Sequence, residues 1–244
     1  MLAFPVASGL AMGGLSWAGI AFAALAVAGF LAHESVLVVL GARGERIRSK
    51  DAMHARSRLV RLGAAAVVAT VVFATTAPPG AWHVALLSAS LAVAVGGLLV
   101  ARKTKSLPGE LLVAGTFSSV HAVLAAAGGA DARATFVPVA AWVVCFTLAT
   151  LSVHALKYRF KRRGSGRWTV VVSPILSGIV VLFAILGFGS LHPVGSVAAP
   201  VLPKALAVLL LSALPANPRH LKRVGWTFVV ADALTLVALI WRVG

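Results

Sequence analysis

Eight apolar runs, each long enough to cross a bilayer, follow one another along this chain with short connections between them. They lie at about 17–41, 58–77, 82–101, 110–129, 135–157, 168–189, 197–215 and 224–241. A hydrocarbon core of about 30 Å is crossed at 1.5 Å per residue, so a spanning helix needs about 20 mostly apolar residues. Charges or clusters of Gly, Pro and Ser bound every run. Composition agrees: only 11% of the 244 residues are charged, where a soluble domain keeps about 25% to cover its surface. A water-soluble enzyme, a secreted disulfide scaffold and a disordered protein are excluded. The chain is expected to be all-α, a polytopic transmembrane helix bundle of eight or nine helices in one domain, 1–244.

The ninth candidate is Leu2–Gly14, which is short for a span at 13 residues. Pro5 is tolerable there only in a first turn. The segment reads as a thin full span, a re-entrant segment or the remnant of a longer helix. It has neither the basic start nor the cleavage pattern of a signal peptide.

The charges give an orientation. Nineteen of the 22 Lys and Arg residues fall in four connections: Ala42–Arg61, the run from Arg102 to Lys105, Lys157–Arg167, and Arg219–Arg223. The alternate connections, Thr76–Trp82, Gly128–Thr135 and Gly189–Ser196, hold one basic residue between them, Arg133. That alternation follows the positive-inside rule, so the basic loops are expected on the cytoplasmic face of a bacterial inner membrane. Two spans separate each basic loop from the next, which checks the count of eight. Trp17, Trp82 and Trp241 fall at outer ends of spans and Trp168 and Trp226 at inner ends, where indoles prefer to lie. Trp142 is deeper and is expected to pack between helices. The excess of positive charge thus calls for no nucleic acid; the partners it implies are membrane lipids, each cation near an anionic surface contributing about 1 kcal/mol. The run KYRFKRRGSGR at 157–167 suits an anionic headgroup or a phosphate, though topogenic charge alone accounts for it. Cys145 is the single cysteine and allows no disulfide within the chain.

Functional chemistry should reside in ionisable residues at membrane depth, where an isolated charge costs about 2.5–3.5 kcal/mol. His33 and Glu34 precede the inner end of the first long span by about two turns, and Glu110 opens the fourth on the same side. His154 lies one turn inside the inner end of its span, with Lys157 at i+3 on the same face and Arg159 just beyond. These residues are the candidate lining of a cytoplasm-facing vestibule for an anionic or isoprenoid ligand, with Glu34 the deepest carboxylate. The plainer account makes Glu110 a first-turn carboxylate favoured by the helix dipole and the others structural. Lys204 and Asp232 are each about eight residues in from opposite ends of consecutive antiparallel spans, so an intramembrane ion pair is expected; a proton relay through Asp232 is the alternative. His121, with Ser118 and Ser119 nearby, is expected to hydrogen-bond across helices.

No D-x-x-x-D or N-D-x-x-D pair marks a magnesium–diphosphate site, and no H-E-x-x-H, C-x-x-C, P-loop or G-x-S-x-G is found. The expectation is therefore no metal, no cofactor, no catalytic residue, and a role other than an enzyme's.

The stretch FLAHESVLVVLGARGERIRSKDAMHARSRL at 30–59 resembles the segment after an early span in the YwiC-like family of bacterial membrane proteins. PGELLVAG at 108–115, TLATLSVHALKYRFKRR at 147–163 and PRHLKRVGWTFVVADALTLVALI at 218–240 are similar to its later helices and closing segment. The Glu-His-Gly-Ala-Trp stretch usual in that family has no counterpart. The resemblance implies a multi-pass membrane protein and carries no assigned chemistry. In layout the chain also resembles the UbiA-type intramembrane prenyltransferases, which have nine helices and long cytoplasmic loops after the second and sixth. Those enzymes hold magnesium and diphosphate on aspartate-rich motifs. The corresponding places here read HESVLVVLGARGERIRSKD and HALKYRFKRRGSGR, the second without a carboxylate.

Overall fold

The computed structural model describes residues 2–101, 103–161, 167–187, 193–213 and 221–243. Among them are nine α-helices and no strand: α1 (Ala3–Gly13), α2 (Trp17–Val39), α3 (Glu45–Thr76), α4 (Pro79–Val100), α5 (Leu107–Ala127), α6 (Ala132–Lys161), α7 (Thr169–Leu186), α8 (Pro193–Ala213) and α9 (Leu221–Val243). All but α1 are long and apolar enough to cross a membrane. Their surfaces agree with that. Val67, Val68, Val71, Leu86, Leu87 and Val93 are exposed, as are Val171, Ile175, Leu182 and Ile185 along α7, whereas His121, Lys204 and Asp232 are buried. Apolar outside and ionisable inside is the arrangement a lipid solvent favours. The chain is a multi-pass membrane protein.

Two segments differ from their sequence expectations. The stretch expected as a connection, 42–61, is helical from Glu45 onward, so α3 runs 32 residues. At 1.5 Å per residue that is about 48 Å, well beyond a hydrocarbon core of about 30 Å. Residues 45–62 contain neither Gly nor Pro; five of them are Arg, and Ala, Leu, Met, Lys and Glu make up seven more, all good helix formers. Their charge marks where the helix leaves lipid, not where it ends. The true link is five residues, 40–44, turning on Gly41 and Gly44 at φ 71° and 98°. The second difference is α1, which at 11 residues reaches only about 17 Å. It is not a full span.

The helices sort into two compact units, Leu2–Thr135 and Phe136–Gly244. In the first, α5 is the central helix, with α1, α2 and α4 packed on it and α3 on α2. Tertiary packing in lipid gains little from apolar burial, because acyl chains are as apolar as leucine; close backbone approach and hydrogen bonds matter more. The α1–α5 seam shows this. A Cβ at Gly13 would lie 2.7 Å from the Leu124 carbonyl oxygen, and one at Gly9 would lie 2.7 Å from Leu124 Cβ. Elsewhere in the unit, Phe73 meets both Phe22 and Trp82 with ring centroids 5.4 Å apart. Ser119 Oγ donates to Ser88 Oγ at 2.9 Å, joining α5 to α4.

His121 links three segments of the first unit. Pro138 has no N–H to offer the carbonyl of Ala134 four residues back. His121 Nε2 lies 2.9 Å from that oxygen and must carry the proton it donates. Its Nδ1 is 2.8 Å from Ser8 Oγ on α1. The cross-helix bond expected of His121 is thus made to Ser8 and not to Ser118, whose hydroxyl turns back to Ala114.

In the second unit α7 packs on α8 and α8 on α9. Cys145 on α6 is fully buried, with Sγ 3.9 Å from Thr235 Oγ1 on α9. Trp142 is also fully buried and stacks on Phe146 at 5.8 Å.

Candidate functional site

Three places bring ionisable side chains together. At the end of α2, Glu34 meets Arg43 across the Gly41 turn. Nε and Nη2 of the guanidinium donate to the two carboxylate oxygens at 2.8 and 2.6 Å. A two-pronged contact of this kind is the strongest arrangement open to the pair, and both partners keep about half their side-chain surface exposed. The Glu34 hydrogen bond raises the Arg43 guanidinium above its ordinary range, so Arg43 stays charged. His33 is exposed beside it. Glu110 is half-buried in the first turn of α5, where Ser106 caps the helix by accepting from Gly109 N–H at 3.3 Å. The helix dipole favours a carboxylate there.

The second place lies deep in the second unit. Lys204 Nζ is 2.6 Å from Asp232 Oδ1 and 3.3 Å from the Phe228 carbonyl oxygen. The same ammonium stands 4.6 Å from the Phe228 ring centroid. Lys204 is fully buried and Asp232 nearly so. Consecutive helices α8 and α9 carry the two groups, and the long lysine stem closes the distance between them.

The third place is a cavity of about 200 Å³ between the end of α6, the start of α7 and the end of α8. Ser152, Ala155, Leu156 and Arg159 line it from α6, Val170, Ser173 and Pro174 from α7, and Leu211 and Ser212 from α8. Arg159 Nη1 donates to the Ser212 carbonyl oxygen at 3.0 Å, one of the last carbonyls of α8 and so without a partner inside its own helix. Of the residues expected at a vestibule, Arg159 stands in this wall. His154 is half-buried and Lys157 exposed on the same helix. Of the 157–167 run, residues 162–166 and the Lys161 side chain lie outside the described residues. Ser152 and Ser173 carry no motif; the signal that could have found them is Pro174, which interrupts the hydrogen bonding of α7 where the cavity opens.

Fold and site together define a polytopic helical membrane protein with a small cavity of mixed polar and apolar lining at the basic end of its second unit. The YwiC-like protein family matches residues 1–125, and the chain belongs to that family. No curated protein and no solved structure matches it. The family match ends inside α5, so the stretches 147–163 and 218–240 lie beyond it, as do the cavity and the Lys204–Asp232 contact.

Proposed function

We propose that this protein binds or moves a lipid-like or anionic amphipathic ligand without transforming it. Its basic connections lie on the cytoplasmic face of a bacterial inner membrane, and the chain acts as one transmembrane domain. The observation that carries this reading is the cavity at the basic end of α6, with the Arg159 guanidinium in its wall. A cation there recruits a headgroup, and the apolar sides of α6 and α7 accept what is attached to it. Lys157 and His154 extend the polar surface along α6, and His33, Glu34 and Glu110 serve the same leaflet from the first unit. A divergent UbiA-type prenyltransferase is the alternative, favoured by nine helices among the described residues and by basic segments after α2 and α6. It predicts magnesium-dependent retention of a prenyl diphosphate.

Mass spectrometry of small molecules retained by the protein in mild detergent tests the reading. An anionic lipid or isoprenoid should be enriched over the bulk membrane and depleted in Arg159→Gln. Bulk lipid composition in both proteins would oppose any ligand role and favour a structural subunit.

A further inference from the structure

Spanning the membrane does not account for the first turns of α3. A span of about 20 residues counted back from Thr76 ends near Ser57. The helix nevertheless extends to Glu45, about 18 Å farther along its axis. Topogenic charge requires neither a helix nor an ordered face. Residues 45–51 are exposed on every side, and from there to residue 62 only Ala52, Ala55, Leu59 and Leu62 are covered. Those four recur at helical spacing and form the row that meets α2.

The uncovered side is more than a charge run. Met53 is 79% exposed, and it stands beyond the level at which acyl chains cover a side chain. Neighbours on a helix lie three, four and seven residues apart. Around Met53 those positions hold Arg46, Ser49, Lys50, Arg56 and Ser57, all exposed, with Val60 at the lipid boundary. Neither carboxylate of the stretch joins them. Glu45 lies 3.6 Å from Arg48, and Asp51 is two residues from Met53, an interval that turns it to another face. Cations and hydroxyls thus ring an apolar side chain.

Each kind of anion would meet this ring differently. A lipid surface is a plane, and a helix standing out from it offers that plane only its lower end. Arg46 lies about 16 Å beyond Ser57 along the axis, past a headgroup layer of about 6 Å and a Debye length of about 8 Å. A nucleic acid would take the cations and leave Met53 bare. Residues 45–62 also hold no Phe, Trp or Tyr on which a base could stack. Met and Arg together, an apolar centre inside a charged rim, are the composition of a protein interface.

We infer that this end of α3 docks an acidic amphipathic helix of a soluble protein, with apolar side chains on Met53 and carboxylates on Arg46, Lys50 and Arg56. Carboxylates four residues apart on such a helix are separated by about 6 Å along its axis, the same step that separates Arg46 from Lys50. This surface is separate from the ligand cavity and shares with the reading above only the orientation of the basic ends.

Fluorescence anisotropy with the full chain in phosphatidylcholine nanodiscs tests the proposal, and nanodiscs expose both faces whichever is cytoplasmic. The probes are a labelled helical peptide with a leucine row flanked by glutamates, the same peptide with glutamine in place of leucine, and oligothymidylate. Wild type should bind the leucine peptide at least tenfold more tightly than either of the others. Met53→Ser should remove that preference, and joint Arg46→Gln, Lys50→Gln and Arg56→Gln substitution should weaken binding tenfold or more. All four side chains are exposed, so the unfolding midpoint should not change. Equal binding of the two peptides, or a Met53→Ser variant that binds as wild type does, would overturn the proposal. Tighter binding of oligothymidylate would assign the surface to nucleic acid instead. A dye on Met53→Cys whose emission shifts in phosphatidylglycerol nanodiscs but not in phosphatidylcholine ones would show that anionic lipid covers the patch, and would overturn the proposal equally.

Discussion

Replacing Lys204 by methionine should destabilise the protein by about 3–5 kcal/mol, the usual consequence of removing one partner of a buried ion pair. The Asp232 carboxylate would be stranded in a site only 4% exposed, 2.6 Å from where its counter-ion stood. Asp232→Asn should cost less. The ammonium would keep the Phe228 carbonyl at 3.3 Å and the Phe228 ring at 4.6 Å, both favourable to a cation. Replacing both residues by apolar ones should recover most of the loss, because a buried ion pair often contributes little over a well-packed apolar substitute. Unfolding of detergent-solubilised single and double variants measures the coupling. Additive single effects would show that the two groups do not depend on one another.

A second large effect is expected at the α1–α5 seam. A Cβ at Gly13 would meet backbone atoms, the Leu124 oxygen at 2.7 Å and Ala125 Cα at 2.9 Å. Backbone cannot swing aside as a side-chain tip can, so Gly13→Val should push α1 away from α5 and break the Ser8–His121 bond. Overpacking of this kind costs about 1–3 kcal/mol or more. The change should appear as a lower unfolding midpoint together with faster hydrogen exchange confined to residues 3–13. Gly29 is the matched control: a Cβ there meets open space, and Gly29→Val should not lower the unfolding midpoint or speed exchange in residues 3–13. Equal effects at the two positions would mean that helix propensity, not contact, decides.

Both effects bear on how far the sequence can be read. The eight long helices follow from apolar runs bounded by charge, since lipid imposes a length that pattern alone reveals. The start of α3 does not follow, because charge reports the water boundary while helix propensity carries the backbone across it. The α1 seam had a signal in Gly9-x-x-x-Gly13, a spacing that lets helices approach closely. Lys204 meets Asp232 because short connections make consecutive spans antiparallel and bring equal depths together. The contact of Glu34 with Arg43 is hidden, since nine residues is no helical interval and only the positive-φ turn at Gly41 folds Arg43 back. The cavity is hidden for a different reason. Its serines come from separate helices, and nothing in the chain announces which helix ends will meet.

The claim on which the functional account most depends is that the basic helix ends, including the end of α6 that bears the cavity, face the cytoplasm. Fusing green fluorescent protein or alkaline phosphatase after Gly44, after Ala77 and after Arg167 tests it directly. The account predicts fluorescence without phosphatase activity at Gly44 and Arg167, and phosphatase activity without fluorescence at Ala77. The reverse pattern would place the cavity on the outer face and contradict recruitment of a cytoplasmic-leaflet ligand.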